Sequence, residues 1–472
     1  MQHFGDYLFD SEENFSEEEE VISKVKLCRE YVMEDQTYSH IDAIEEVVLL
    51  CIDHGYNDDG MFFTEAVLEI LPYNAEFWQF RGVFCNNLFR FEKAYECFNK
   101  AISLNPNDIE TLLNKAITEE NLDMSNDAIV TLKRALAVEP YNEEIYYNLG
   151  TVYSKLENYQ SAIDYFQQAF NYDEDYTEAL FEIAFCYENL EKFDEAIAIY
   201  DRLIELESGN ANTYYNKGIL YIRLEEFDKA IECFKSAIFY FKEFGNAWFN
   251  LGVSYAKLNN FKEAEKAFRE VVKIDPYDEM GFFSLAQSLE DMGKINEAMV
   301  YYEKALDIDE TFADAYYNRG HIYLEQGNNY KALIELKKAI NYDDEIVDAY
   351  VEKGDAEFNL GRFKDSAISY GTAIQHGDTS YETWFKLGVI HSSAGEVVRA
   401  INFFDETIQR NPDFAYAYYE KAKALFSISR SDEVIENLRI AIKQSPEFRN
   451  NIERDFKGIK SLDLYKQLFD KK

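Results

Sequence analysis

Residues Glu143–Tyr176 read EEIYYNLGTVYSKLENYQSAIDYFQQAFNYDEDY, and the rest of the chain repeats this stretch with variations. From Glu144 to Leu156, the residues Tyr146, Leu149, Gly150 and Tyr153 recur at i, i+3, i+4 and i+7, the spacing of one face of an α-helix. From Tyr159 to Phe170 the same spacing is set by Ala162, Ile163, Phe166, Ala169 and Phe170. A polar turn at Glu157-Asn158 joins the two segments. The stretch therefore predicts a helical hairpin whose apolar faces meet. Small residues at Gly150, Ala162 and Ala169 let the helices approach closely, and Tyr146, Tyr153 and Phe166 fill the space beside them. Glycine inside a helix costs about 1 kcal/mol relative to alanine, so a glycine that keeps returning in one place needs a packing reason.

The period is 34 residues, counted here as positions 1 to 34 of blocks that start at Ile41, Ala75, Ile109 and onward to Ala415. Position 8 is Gly82, Ala116, Gly150, Ala184, Gly218, Gly252, Ala286, Gly320, Gly354, Gly388 and Ala422. Position 20 is alanine in most blocks, and position 24 is Phe, Tyr or Leu. The six prolines of the chain, Pro72, Pro106, Pro140, Pro276, Pro412 and Pro446, all fall at position 32. Proline is harmless there, because the second helix has ended.

These positions, Trp/Tyr-x-x-Leu-Gly-x-x-Tyr, then Ala-x-x-x-Phe-x-x-Ala, then Pro, resemble the tetratricopeptide repeat. Tyr146, Leu149, Gly150, Tyr153, Ala162, Phe166 and Ala169 match it, as do Trp248, Leu251, Gly252, Tyr255, Ala264, Phe268 and Pro276. The resemblance implies an all-α fold, a right-handed superhelical solenoid of helix-turn-helix repeats. It also implies a non-enzymatic scaffold for protein–protein interaction. The family serves many unrelated partners, so the motif fixes the fold more firmly than the function.

By composition the 472 residues carry a formal net charge of −42. Such a chain repels nucleic acid and anionic membranes, and it favours basic protein partners. Solvated acidic faces would equally keep a long solenoid soluble. Cys28, Cys51, Cys85, Cys97, Cys186 and Cys233 contain no C-x-x-C pair and no disulfide framework, which fits a reducing, cytoplasmic setting. The start, MQHFGDYLFDSEENFSEEEE, lacks the basic and apolar regions of a signal peptide. No apolar run reaches membrane-spanning length. His3, His40, His54, His321, His376 and His391 form no metal or catalytic motif, so neither an enzyme nor a cofactor is expected.

In order, residues 1–16 form an acidic tail with Phe4, Tyr7, Leu8 and Phe9 as its apolar content. Residues 17–40 read as an N-terminal capping helix with Val21, Val25, Cys28 and Val32 on one face. Block 41–74 is a degenerate repeat or cap, with Val48 at position 8 and Gly60 at position 20. Eleven repeats fill 75–448. Residues 449–472, with Ile452, Phe456, Ile459, Leu462 and Tyr465, read as a locally basic C-terminal capping helix.

Function is expected at first-helix positions that do not face the second helix. Position 5 carries an aromatic row that includes Tyr147, Phe181, Tyr215, Phe249 and Tyr317, which is either groove lining or inter-repeat core. Position 6 carries Asn114, Asn148, Asn216, Asn250 and Asn318. A carboxamide both donates and accepts, so a row of them can pair with an extended peptide backbone, each bond adding roughly 0.5–1.5 kcal/mol. This row resembles the asparagine ladder in the repeat domain of O-linked N-acetylglucosamine transferase. By the same resemblance the first helices line a concave groove; alternatively, these asparagines bond only to neighbouring turns. Position 2 is largely acidic, with Glu76, Glu110, Glu144, Glu178, Asp314, Asp348 and Glu382, which suits a helix N-terminus and could also select Lys- or Arg-bearing peptides. The Lys/Arg clamp of the chaperone-adaptor branch is absent: position 9 reads Val83, Ile117, Thr151, Phe185, Ile219 and Val253. The leading expectation is an adaptor that holds an extended, basic-leaning peptide. A self-assembling scaffold (a homo-oligomer) and a subunit that tethers a partner enzyme are the alternatives.

Overall fold

Within each unit a block folds as two packed helices, usually one of 13 residues and one of 14, as in Glu143–Lys155 and Tyr159–Tyr172; Glu178–Asn189 has 12 and Phe363–Gln375 has 13. We call them helix A and helix B. The computed structural model describes residues 17–457 and 459. Among them are helices and turns and no strand. Two compact units divide the chain, Met1–Leu224 and Glu225–Lys472. In the first, the helix Glu17–Met33 precedes five A/B pairs, from Ile41–Asp53 with Asn57–Ile70 to Glu178–Asn189 with Phe193–Leu206, and the helix Ala211–Arg223 follows. In the second, the helix Phe227–Tyr240 precedes six pairs, from Gly245–Lys257 with Phe261–Ile274 to Ala415–Ser427 with Ser431–Gln444.

The turn between A and B explains much of the regularity. At its second residue the chain enters the left-handed region in block after block: Phe89 at φ +55°, Asp123 at +57°, Glu157 at +57°, Glu191 at +56°, Asn259 at +57° and Ser429 at +61°. Glycine takes the place at Gly293, Gly327, Gly361 and Gly395. In the reference block, the Glu157 amide donates to the Ser154 carbonyl and the Asn158 amide to the Tyr153 carbonyl, both at 2.9 Å. These bonds satisfy carbonyls that the end of helix A would otherwise leave open. At the other end, Asn74, Asp108, Asn142, Asn210 and Asp278 cap helix A with their side-chain oxygens.

The glycines at position 8 have the packing reason that their recurrence demanded. A Cβ on Gly150 would lie 2.6 Å from the Phe166 ring, and one on Gly252 would lie 2.7 Å from the Phe268 ring. Gly82 faces Phe98 and Gly388 faces Phe404 in the same way. Phe98, Phe166 and Phe404 are wholly buried. Block 41–74 reverses the volumes: Val48 is buried at position 8, and the open side of Gly60 is filled by the Phe84 ring of the next block. At position 4, the Trp78 and Trp248 indoles donate to the carbonyls of Pro72 and Lys242, each at 2.9 Å. Tyr146 and Tyr214 do the same toward Pro140 and Ser208. These bonds tie each helix A to the loop before it.

Toward the N-terminus, Val21 and Cys28 of the helix Glu17–Met33 are buried, and Val25 and Val32 pack partly against the core of block 41–74. All six cysteines are buried free thiols. Past block 415–448, Ile452, Phe456 and Ile459 are buried against Tyr419, Leu425 and Phe448. The described part of that stretch is a short 3-10 turn, Pro446–Asn450, and one helical turn, Ile452–Asp455. The acidic stretch 1–16 and the remainder of 449–472 lie outside the described residues.

Candidate functional site

The A-helix face is where the asparagine, aromatic and acidic rows converge, and the structure gives each row a different environment. The aromatic row is half-buried, and Tyr147, Phe181, Phe249 and Tyr317 pack against the repeat core. Tyr147 lies 5.3 Å from Phe166 and 5.0 Å from Tyr176, centroid to centroid. Phe249 sits 5.6 Å from Phe268, and Phe181 sits 6.4 Å from Tyr200. Tyr215 is half-buried at the equivalent place. Tyr317 donates to Glu352 Oε1 at 3.1 Å. These rings thus pack against the repeat core while staying partly exposed.

The asparagines do not form a uniform ladder. Asn148 and Asn250 turn their amide nitrogens back on their own helices, to the carbonyls of Glu144 (2.8 Å) and Asn246 (3.0 Å). Asn216 and Asn318 instead hydrogen-bond the hydroxyls of Tyr200 and Tyr302, the position-24 residues of the preceding blocks. Those hydroxyls also donate to Glu188 Oε1 (2.9 Å) and Glu290 Oε2 (2.6 Å). Asn114 is half-buried, and its side chain has no hydrogen-bond partner among the described residues. At the third position-24 tyrosine, Tyr370, the next block supplies Lys386, whose ammonium lies 5.6 Å from the Tyr370 ring centroid and pairs with Asp355. Tyr370 donates to the same Asp355.

Electrostatically the face is uncompensated. In the first unit, burial raises the Glu76 carboxyl above its ordinary range, and Glu45, Asp108 and Glu110 push it further. Burial also raises Glu144, with Glu143 and Glu110 adding to the shift. Glu182 rises through burial. A helix N-terminus should hold its first-turn acids down. For Glu76 and Glu144, desolvation and the acids around them outweigh that effect. In the second unit, Asp291 rises through burial, and Asp314 through burial and the nearby Asp343. Among the described residues, none of these five has a Lys or Arg within ion-pair distance.

One concavity in the second unit lies on this face. It has a volume of about 400 Å³ and is walled by Ser284, Gln287, Glu290, Asp291 and Asn318, with Lys257 at its edge. Of the sequence-predicted residues it contains Asn318. It adds Glu290, which burial raises and the Tyr302 hydroxyl partly restores. Beside it, His321 Nδ1 lies 2.7 Å from Glu352 Oε1. Burial lowers the His321 pKa, but Glu352, Glu325 and Glu290 outweigh that and raise it. Ser284 is the position-6 residue of its block, standing in the asparagine row, whereas Glu290 belongs to none of the rows read from the sequence. The signal available was Glu at position 12 twelve residues before Tyr at position 24, as in Glu188/Tyr200 and Glu290/Tyr302. Among the described residues no three His, Cys, Asp or Glu are placed to hold a metal ion. None of their helices is long and apolar enough to cross a membrane.

Family models described as tetratricopeptide repeat match residues 215–279 and 351–413, 286–327, 154–216, 75–108 and 313–345, and 131–164. Among curated proteins none matches. Solved structures with similar backbones include the Cut9–Hcn1 hetero-tetramer of the APC/C, at 15% identity and TM-score 0.39, covering 93% of this chain and 98% of that one. The C-terminal part of a TPR repeat-containing protein from Cytophaga hutchinsonii matches at 14% identity and TM-score 0.44, over 54% of this chain and 100% of that one. YrrB, a TPR protein with an unusual peptide-binding site, matches at 24% identity and TM-score 0.33, over 40% of this chain and 96% of that one.

Proposed function

Because the chain belongs to the tetratricopeptide-repeat family, whose fold is that of protein-interaction scaffolds, we propose that it is a scaffold whose A-helix face holds an extended, basic-leaning peptide segment of a partner protein. The observation that carries this reading is the set of A-helix-face carboxylates, Glu144, Glu182, Asp291 and Asp314 among them, that have no Lys or Arg within ion-pair distance among the described residues and that partial desolvation raises above their ordinary pKa range. A lysine or arginine side chain laid against them supplies the missing counter-charge. The carboxamide oxygens of Asn148 and its counterparts are acceptors for peptide amides, and the edges of Tyr147, Phe181 and Phe249 are apolar lining. Asn216 and Asn318 contribute less, because each also holds a tyrosine hydroxyl.

The test is fluorescence anisotropy with two labelled decapeptides, alternating Lys/Ala and alternating Glu/Ala, added to the full chain. The Lys/Ala peptide should bind and weaken on raising salt from 50 to 300 mM, since exposed charge interactions are screened within about 10 Å at 0.1 M. Binding should fall at least tenfold in the E144Q/E182Q/D291N/D314N variant, and less in N148A/N250A. Equal binding of both peptides, or unchanged affinity in the charge variant, overturns the reading.

A further inference from the structure

On the other side of the helix Gly245–Lys257 lies a second surface of opposite character. It is the groove between the B helices Phe227–Tyr240 and Phe261–Ile274, floored by Trp248, Leu251 and Tyr255. Two contiguous concavities occupy it, of about 540 and 680 Å³, sharing Lys235, Ile238, Trp248 and Glu270. Phe239, 73% exposed, lines it, and Phe241, two residues on and 5.6 Å from Phe244 between ring centroids, is 51% exposed.

These two aromatics are out of place for this chain. At the position of Phe239 other blocks carry Ser103, Asn171, Glu205, Lys273, Asp307 and Asn341. At that of Phe241 they carry Asn105, Glu139, Asp173, Asp275, Asp309 and Asp343. Those blocks therefore pack without an aromatic at either position; here Phe239 meets only Tyr240 and Phe241 only Phe244 among the ring contacts described, and exposing both costs solubility. The rim is also out of place in charge. In a chain of net charge −42, the groove is bordered by five cations, Lys235, Lys242, Lys266, Arg269 and Lys273, and three carboxylates. Lys266 and Lys273 are paired with Glu263 and Glu270. Lys235 and Lys242 have no carboxylate within ion-pair distance among the described residues; the Lys235 ammonium lies 5.4 Å from the Tyr255 ring centroid. An apolar floor with a cationic rim fits a short segment that carries large apolar side chains between carboxylates. The chain contains such a segment. Residues 1–16 include Phe4, Tyr7, Leu8, Phe9 and Phe15 among Asp6, Asp10, Glu12 and Glu13, with no Lys or Arg.

We propose that the groove between Phe227–Tyr240 and Phe261–Ile274 is a docking site for residues 1–16 of a second copy of this chain, with the aromatics on Trp248, Phe239 and Phe241 and the carboxylates on Lys235 and Lys242. The contact joins two different surfaces, so copies add head to tail, or close as a pair where the two tails are exchanged.

The test places a photo-reactive benzoylphenylalanine at Phe9 in the full chain and irradiates it. The expected product runs at dimer mass, and its linked peptides contain residues 238–242 or 273–274. Its yield should fall at least tenfold in F239S/F241D, whose new residues are those other blocks carry at these positions, and likewise in K235E/K242E. A free peptide of residues 1–16 should compete it away. Circular dichroism confirms that the variants are folded. A crosslink at monomer mass, one that maps to the A-helix face, no crosslink, or an undiminished yield in F239S/F241D each overturns the proposal.

Discussion

Two glycine-to-alanine substitutions, both inside helices, should change stability in opposite directions. Gly252 and Gly371 lie within the helices Gly245–Lys257 and Phe363–Gln375. Helix propensity alone favours alanine at both, by about 1 kcal/mol. At Gly371 an added Cβ meets nothing within 4 Å, so that gain should appear nearly whole. At Gly252 the Cβ would lie 2.7, 2.8 and 2.9 Å from three atoms of the Phe268 ring, where carbon–carbon contact prefers about 3.5–4.0 Å. Phe268 is 2% exposed and packs against Phe249, so the ring can yield only toward the concavity it lines with Ser284 and Tyr302. Overpacking of this kind costs about 1–3 kcal/mol. Set against the propensity gain, Gly252→Ala should destabilise by about 0–2 kcal/mol, while Gly371→Ala stabilises by about 0.5–1 kcal/mol. Urea unfolding followed by circular dichroism reads both as midpoint shifts. Repeat arrays unfold with limited cooperativity, so the midpoint of the single variant against its parent is the quantity to compare. F268L in the G252A background should restore part of the loss, since blocks 109–142 and 415–448 pair alanine at position 8 with Leu132 and Leu438. If Gly252→Ala matches or exceeds the gain of Gly371→Ala, the close-approach explanation of the position-8 glycines is wrong.

Phe89→Gly should stabilise by about 1 kcal/mol, because Phe89 is 81% exposed and holds φ +55°, a left-handed conformation that costs non-glycine residues about 1–2 kcal/mol; a lower thermal midpoint would contradict this. Tyr302→Phe should destabilise by about 1.5–3 kcal/mol, because it removes a 2.6 Å hydrogen bond to the Glu290 carboxylate inside the core, and the Glu290 pKa should rise further, readable by carboxyl NMR titration. Stability should increase as pH falls from 7 toward the raised carboxylate range. Glu76, Glu144, Glu182, Asp291 and Asp314 have folded pKa values above their ordinary ones, so the folded state binds more protons than the unfolded state in that window. Urea midpoints at pH 7 and 5.5 test the sign, and E182Q/D291N should shrink the difference.

The periodicity at positions 8, 20, 24 and 32 was enough to read the helical hairpin and its close packing, because those positions answer to local chemistry. A glycine opposite a large ring and a proline after a helix end mean the same thing wherever the hairpin sits. The turn residue at φ near +57° was less legible: Phe89, Asp123 and Glu157 share no side-chain property, and the backbone hydrogen bonds of the turn impose the conformation whichever residue is there. The A-helix rows could be found by counting, but not their state. Whether an asparagine at position 6 is available or holds a tyrosine hydroxyl depends on the position-24 residue of the block before it, as with Asn216 on Tyr200 and Asn318 on Tyr302. Whether a first-turn acid is stabilised or strained depends on its burial and on acids brought near by the stacking of blocks, as Glu45 and Glu110 are brought to Glu76.

The repeat and its hairpin are therefore legible in the chain alone, because residues within one turn or one period of each other set them, and the acidic charge is a matter of composition. Which polar groups lack partners and which apolar groups face water emerges only when the blocks stack. Desolvation and pairing are properties of neighbours that the chain acquires on stacking, and no single block contains them.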